Sequence, residues 1–353
     1  MSFLRLAVIM AGGSGERFWP LSNAKRPKQL LKLTHPEQTL LGEAVGRIAP
    51  LIPKERIFVA TTRALDGAIK SDGSALPENV IAEPDKRNTL SCLGWVAANM
   101  LAKYPNDEVS LAVLTADHKI GNPALFRDTV SKALVTAEQT GALVTIGIRP
   151  SRAETGYGYI QLADAHSTEP QRSVAIHEKP DLAKAQEYLK GGNYLWNSGM
   201  FFWSVASFLS ELEVAQPEVY MIVLQMTEAL KQGKDGYAAE LFRGLPSQSV
   251  DYALMEKAKN VFVVPGEFPW DDVGAWDALE RSFDRNADGN VVLGDVISVD
   301  SHGCVLVNES KHKVGVLGVD DLVVVVSPDG ILICHKDRTQ EVRKIVSQLE
   351  GGE

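Results

Sequence analysis

The first residues that could do chemistry lie at positions 10–33, in the segment MAGGSGERFWPLSNAKRPKQLLKL. Gly12, Gly13 and Gly15 leave the backbone open, so that several N–H groups can converge on one anion. Five basic residues accompany a single acid, Glu16, giving a local charge of +4; they are Arg17, Lys25, Arg26, Lys28 and Lys32. Such a loop can hold a triphosphate. The alternative is a tight turn followed by a solvated basic loop, and Pro20 and Pro27 favour the first interpretation because they restrict the loop.

Carboxylates that suit a divalent cation occur at two distant places. Asp117 follows an apolar run in VLTADH, and WDDVGAW supplies Asp271 and Asp272. Mg²⁺ commonly binds one or two carboxylates together with substrate phosphates and waters. The alternative role for Asp117 is the N-cap of a following helix. A second carboxylate close to Asp117 would favour the metal site.

Composition narrows the classes of function. The 353 residues carry a net charge of −9, which excludes a general electrostatic surface for nucleic acid or an anionic membrane. The three cysteines, Cys92, Cys304 and Cys334, are too far apart for a zinc motif or a disulfide framework. No apolar stretch approaches the roughly 18 residues of a membrane span. We therefore expect a cytoplasmic protein with small-molecule substrates.

Strand and helix patterns alternate over the first 150 residues and must position these groups. Apolar runs at 6–10, 57–60, 80–82, 111–114 and 143–146 predict buried strands, and segments near 40–48, 64–70, 89–102 and 124–139 predict helices. The alternation predicts an α/β fold with a mixed, mostly parallel sheet flanked by helices. GYGYIQLAD and SVAIHEKPD predict antiparallel or edge strands, MFFWSV another strand, and 182–189 and 206–230 helices.

From about residue 290 the pattern changes to short β-prone pieces separated by Gly, Asp, Asn and Ser. This pattern of short strands and frequent turns predicts a small, β-helix-like C-terminal element, followed by a helix at 338–349. We expect two domains, at 1–285 and 286–353. No HxH-type metal cluster occurs after residue 290, where His302, His312 and His335 are scattered, so we expect a single activity.

Taken together, the motifs resemble those of the sugar-1-phosphate nucleotidyltransferases. The segments RFWP and RPKQ are similar to the corresponding segments of the mannose-1-phosphate guanylyltransferase family. Further segments agree in order: AEPDKRNT, LTADHKI, TGYGYI, EKPD, WNSGMFFW and FPWDDVGAW. The resemblance covers about residues 5–285. It implies a Rossmann-like, GT-A-like fold, Mg²⁺ as cofactor, a homodimer, and transfer of GMP from GTP to mannose 1-phosphate with release of pyrophosphate.

The resemblance also implies site residues. A catalytic set comprises Arg17, Lys28, Asp117, Lys179 and Asp272, of which Asp117 and Asp272 would bind the metal. The nucleotide would contact Ala11, Gly12, Gly13, Ser14, Gly15, Glu83, Arg87, Asn88 and Asp117. The sugar would contact Gly158, Glu178, Lys179 and Asn197. Asp271 is expected to be solvated or capping, and the tryptophans to pack in the core or at the rim. Because Lys179 precedes Pro180, we expect extended backbone there.

Three alternatives remain open from the sequence. The first is the same reaction with another sugar, such as heptose or glucose 1-phosphate. The second is a silent homologue that binds a GDP-sugar as a regulatory protein, although all five catalytic candidates are present. The third, an NAD-dependent oxidoreductase, would need a dinucleotide fingerprint that this loop lacks.

Overall fold

The computed structural model describes residues 3–23 and 25–351. Its first strands, in chain order, are β1 (Leu4–Met10), β2 (Ile57–Thr62), β3 (Val80–Glu83), β4 (Val109–Thr115), β5 (Lys119–Ile120), β6 (Leu143–Ile148), β7 (Tyr159–Leu162), β8 (Gln171–His177), β9 (Tyr194–Ser204), β10 (Val261–Gly266) and β11 (Trp270–Asp271). The helices are α1 (Leu40–Ile48), α2 (Asp66–Asp72), α3 (Thr89–Lys103), α4 (Pro123–Thr140), α5 (Leu182–Gly191), α6 (Val205–Ala215), α7 (Pro217–Lys231), α8 (Asp235–Arg243) and α9 (Val342–Glu350). None of the described helices is long and apolar enough to cross a membrane.

A nine-stranded mixed sheet organises the first part of the chain, in the order β3-β2-β1-β4-β9-β6-β10-β8-β7. The first four strands of that order pair in parallel, as do β6 and β10, whereas β9 runs antiparallel between β4 and β6. Alternate residues of β1 face opposite cores: Leu6 and Val8 pack with α3, α6 and α7, and Ala7 and Ile9 with α1 and α4. This double burial explains the nearly continuous apolar runs.

The α/β fold class is confirmed, and the elements lie close to their predicted positions. Helix α4 begins at Pro123 and ends before Gly141, whose φ of 64° forms the left-handed cap. Strands β7 and β8 pair antiparallel, as GYGYIQLAD and SVAIHEKPD indicate. Strand β10 and helix α8 were not predicted from the sequence. The final helix starts later than predicted, because residues Lys336–Glu341 form a 3-10 turn before α9.

The C-terminal strands are β12 (Val291–Leu293), β13 (Val296–Val299), β14 (Val305–Asn308), β15 (Val314–Leu317), β16 (Leu322–Ser327) and β17 (Gly330–His335). β12, β14 and β16 stack in parallel, β13 and β15 form a second parallel pair, and β17 returns antiparallel to β16. These stacked coils confirm the β-helix-like element. One of its faces packs on the N-terminal loop and on the segment after β11, in a cluster that includes Phe18, Trp276, Val305 and Val323.

Sheet order determines where the site can form. β1 and β4 are parallel neighbours with Met10 opposite Thr115, so the glycine-rich loop and Asp117 leave the sheet side by side. Ligands of open α/β sheets bind at this carboxyl edge. β11 pairs with β5 just beyond Asp117, with Asp271 opposite Lys119, and this pairing brings Asp272 to the same edge.

Candidate active site

The glycine-rich loop is held by buried polar contacts. Gln29 Nε2 donates to the carbonyl of Ala11 at 2.6 Å, and Thr61 Oγ1 donates to the same oxygen at 3.0 Å. Gly15 has a φ of 70°, and a Cβ on it would collide with Lys28. Only glycine allows this close approach of the loop to Lys28. The loop is therefore fixed against the residue predicted to bind phosphate.

Lys28 joins the two predicted metal ligands. Its Nζ donates to Asp117 Oδ2 at 2.8 Å and to the backbone carbonyl of Asp272 at 3.0 Å, and its side chain is only 9% exposed. Burial alone would raise the pKa of Asp117, but the nearby charges of Lys28 and His118 and the Lys28 hydrogen bond outweigh it and lower that pKa. Asp117 is therefore ionised beside the ammonium group of Lys28.

A cavity of about 410 Å³ opens over these groups. Arg17 also lines it, and its guanidinium donates to the carbonyl of Gly274 at 3.4 Å. The predicted residues that this cavity brings together are Ala11, Gly13, Ser14, Gly15, Arg17, Lys28, Asp117 and Asp272. Backbone N–H groups, basic side chains and two carboxylates line this cavity. Together these groups can bind a polyphosphate with a divalent cation.

Asp117 does not cap a helix. The N-cap of α4 is Asn122, whose side chain accepts a hydrogen bond from the Leu125 N–H. Among the described residues there is no group of three or more metal-ligating side chains, and Asp117 and Asp272 face the cavity as a pair. Two carboxylates beside a cavity that can hold a polyphosphate fit Mg²⁺, which takes its remaining ligands from phosphates and water.

A second cavity, of about 220 Å³, adjoins the first across Asp272 and His118. It contains the predicted sugar residues Gly158, Glu178 and Asn197. The Asn197 backbone N–H donates to the Gly158 carbonyl at 2.8 Å, and a Cβ on Gly158 would collide with Glu178. The space next to Gly158 therefore depends on the absence of a side chain, as expected for a close contact with a ring.

Lys179, also predicted to contact the sugar, is not among the residues that line this second cavity; it lines a third one, of about 600 Å³, with Arg17 and Asp272. Its Nζ pairs with Glu178 Oε1 at 2.8 Å; desolvation lowers its pKa, but this contact outweighs it and raises the pKa. The expectation of extended backbone is wrong, since φ is 48°. Lys179 stands where the chain turns between β8 and α5, and the left-handed conformation accompanies this turn.

Two polar residues at the site, Tyr157 and Asp251, were not predicted from the sequence. The Tyr157 hydroxyl donates to Asp272 Oδ1 at 2.6 Å, and burial together with Asp272 raises the pKa of Tyr157. Asp251 Oδ1 accepts from Asn197 Nδ2 at 2.9 Å, and burial beside Glu178 raises the pKa of Asp251 to about 6. Tyr157 stands within the TGYGYI motif and could have been proposed from it, whereas no motif marks Asp251.

Three of the residues predicted to contact the nucleotide, Glu83, Arg87 and Asn88, lie in different environments. Glu83 ends β3 beneath the loop: its Oε1 would lie 3.6 Å from a Cβ on Gly12, while its buried Oε2 has no hydrogen-bond partner among the described residues. Burial raises the pKa of Glu83 to about 8. A cavity of about 350 Å³ beside it is lined by Gly12, Ser14, Thr62, Leu65, Pro84 and Asp85.

Arg87 and Asn88 make contacts with their own surroundings. Arg87 donates to the carbonyls of Leu245 and Arg243 and pairs with Asp85. Asn88 caps the start of α3. Their roles toward a nucleotide stay predictions.

Asp271 was expected to be solvated or capping, and the structure shows neither. Its side chain is 12% exposed, accepts from the Val273 N–H at 2.8 Å within a turn and pairs with Arg281, while the N-cap of the following 3-10 turn is Ala275. Trp196 and Trp276 are buried in the core, as expected.

Comparison with known proteins agrees with this geometry. The family model described as nucleotidyl transferase matches residues 6–288, and the model of the MannoseP isomerase/GMP-like beta-helix domain matches residues 294–349. The chain belongs to the nucleotidyl transferase family. It is 33% identical to the mannose-1-phosphate guanylyltransferase of Escherichia coli, over 99% of this chain and 76% of that protein. It is 38% identical to the alginate biosynthesis protein AlgA of Pseudomonas aeruginosa, over 98% of this chain and 72% of that protein.

A solved structure extends the likeness to three dimensions. The crystal structure described as mannose-1-phosphate geranyltransferase from Thermus thermophilus superimposes with a TM-score of 0.86 at 38% identity. The match covers 98% of this chain and 99% of that one, including the C-terminal coils. This nucleotidyl transferase therefore shares its whole described architecture with that protein.

Proposed function

We propose that this nucleotidyl transferase is a mannose-1-phosphate guanylyltransferase, which converts GTP and mannose 1-phosphate into GDP-mannose and pyrophosphate. The observation that carries the proposal is the pair of adjoining cavities that share Asp272 and His118. One has phosphate-binding groups and the other has groups suited to a sugar ring. The names of relatives that align with nearly all of this chain supply the identity of the sugar and the base.

The reaction needs no general base in this arrangement. A phosphate oxygen of mannose 1-phosphate, already ionised near neutral pH, attacks the α-phosphorus of GTP, and the bond to the β-phosphate oxygen breaks so that pyrophosphate leaves. Lys179 holds the attacking phosphate, while Arg17 and Lys28 neutralise charge on the triphosphate and the leaving group. Catalysis then rests on positioning and on fixed charges, as in other phosphoryl-transfer sites.

Asp117 and Asp272 would hold Mg²⁺, which when bound supplies positive charge to the phosphate oxygens. Tyr157 positions Asp272 by donating to Oδ1, and Lys28 keeps Asp117 ionised. Each of these carboxylates is thus oriented by a neighbour before any ligand arrives, which reduces the reorganisation needed for metal binding.

For the base, we propose that Glu83 accepts hydrogen bonds from the N1–H and 2-amino group of guanine. A buried carboxylate with an unpartnered oxygen is costly unless a ligand supplies donors. Guanine offers two donors on one edge, and adenine does not present this pair. The neighbouring cavity with Gly12 and Pro84 provides space for the base.

We also propose the organisation expected from the sequence: a catalytic domain at 1–285, a C-terminal domain at 286–353, and a homodimer in the cytoplasm. Light scattering on the purified full chain tests the dimer, and a monomer mass at micromolar concentration would contradict it.

The site of attack can be tested with labelled GTP. With [α-³²P]GTP and mannose 1-phosphate, all label should appear in GDP-mannose, and with [γ-³²P]GTP all label should appear in pyrophosphate. Label from the γ-position in orthophosphate or in the sugar product would show attack at another phosphorus and would overturn the proposed reaction.

A further inference from the structure

Arg343 reaches the phosphate cavity from the opposite end of the chain. It belongs to α9, beyond the C-terminal coils, and it lines the same cavity as Arg17 and Lys28. It also lines the neighbouring cavity that contains Lys179. Arg343 is in none of the sequence motifs, which all lie before residue 277.

The start of α9 is held firmly against both sides of the site. Val342, next to Arg343, is 2% exposed and packs in the cluster that contains Phe18 and Trp276. Phe18 adjoins Arg17, and Trp276 follows the Asp272 segment. Thr339 Oγ1 donates to Asp277 Oδ1 at 3.2 Å, just before α9. The Cα position of Arg343 is therefore fixed relative to Arg17 and Asp272.

The Arg343 side chain differs from the neighbouring basic side chains in its ion pairing. Arg338 and Lys344 both pair with Glu341, at 3.0 and 2.7 Å. Arg343 is exposed, and among the described residues it has no side-chain hydrogen bond or ion pair. A guanidinium on an anchored backbone, with no protein partner of its own, can donate two parallel hydrogen bonds to phosphate oxygens.

We propose that Arg343 binds the β- and γ-phosphates of the nucleoside triphosphate, so that the C-terminal element completes the active site. The inference rests on the proposed function. These phosphates are favoured over the sugar phosphate because α9 packs on the Glu16–Phe18 turn that carries Arg17, the residue assigned to the leaving pyrophosphate. Arg17 and Arg343 both line the 410 Å³ and the 600 Å³ cavities, so they can bind the same phosphate group.

The test compares R343A and R343K with K344A, which removes one positive charge from the adjacent position of the same helix. Calorimetry with Mg²⁺ measures the Kd of GTP and of inorganic pyrophosphate, and steady-state assays measure the KM of mannose 1-phosphate. We expect R343A to weaken GTP and pyrophosphate about tenfold, as loss of a charge-assisted contact should. R343K should recover part of this loss, and K344A should bind like the wild type. The KM of mannose 1-phosphate should change less than twofold.

The outcomes separate this inference from the proposed function. Unchanged affinity of R343A for both GTP and pyrophosphate, in an active wild type, would overturn the role of Arg343 and leave the function in place. An equal rise in the KM of mannose 1-phosphate would overturn the assignment to the β- and γ-phosphates. A wild type that neither binds GTP nor releases pyrophosphate would overturn the proposed function itself, and with it the role of Arg343.

Discussion

Replacing Lys28 with alanine removes the contact at the centre of the site. The Nζ donates to Asp117 at 2.8 Å and to the Asp272 carbonyl at 3.0 Å, from a side chain that is only 9% exposed. Without it, the proposed triphosphate site loses a fixed cation, and the carboxylate of Asp117 loses a charge that lowers its pKa. A preorganised donor of this kind contributes roughly 10²–10³ in rate, or about 2.7–4 kcal/mol. We therefore expect kcat/KM to fall by about 10² or more.

The assay is continuous pyrophosphate release with Mg²⁺, GTP and mannose 1-phosphate. Lys25 is the matched control, because it carries the same charge in the same loop and its side chain is exposed. K25A should keep kcat/KM within about threefold of the wild type, which isolates the position of Lys28 from the net charge of the loop. A K28A enzyme as active as K25A, with an unchanged melting temperature, would refute the role assigned to Lys28.

Three further predictions follow from the same geometry. D272N should lower kcat by about 10² and raise the Mg²⁺ concentration needed for half-maximal activity, because it removes charge from the proposed metal site; an unchanged Mg²⁺ dependence would remove Asp272 as a ligand. With the pKa of Glu83 at about 8, the ionised form gains as pH rises, so GTP affinity should increase from pH 6 to 8 and then level off. E83Q should abolish this pH trend, and its persistence would argue against Glu83. G158A should raise the KM of mannose 1-phosphate about tenfold or more with little effect on the Kd of GTP, because the new methyl group collides with Glu178; equal effects on both substrates would contradict a separate sugar cavity.

Much of the fold was predictable because the local sequence patterns of its strands and helices are compatible with the strand pairing in the structure. The apolar runs at β1 and β4 lie at parallel, doubly buried strands, and Pro123 and Gly141 delimit α4 as the sequence indicates. The strand β10 was missed: VFVVPG contains a proline and follows long helices, and its place between β6 and β8 depends on pairing with distant segments.

The candidate site was predictable where a motif carries it. Lys28 and Asp117 stand in recognisable segments, and the structure brings them to hydrogen-bonding distance. Asp251 and Arg343 lie outside every motif, and their proximity to the site arises from tertiary packing alone. The conformation of Lys179 was predicted wrongly because the restriction imposed by Pro180 was considered without the turn that follows β8.

The central claim is tested most directly by pyrophosphate release across a grid of substrates. Each nucleoside triphosphate is incubated with Mg²⁺ and with mannose, glucose or heptose 1-phosphate. The proposed function predicts release with GTP and mannose 1-phosphate and at least tenfold less with every other pair. Release with a different pair would keep the reaction class but contradict the assigned substrates, and no release with any pair, alongside tight binding of GDP-mannose, would contradict the enzyme activity altogether.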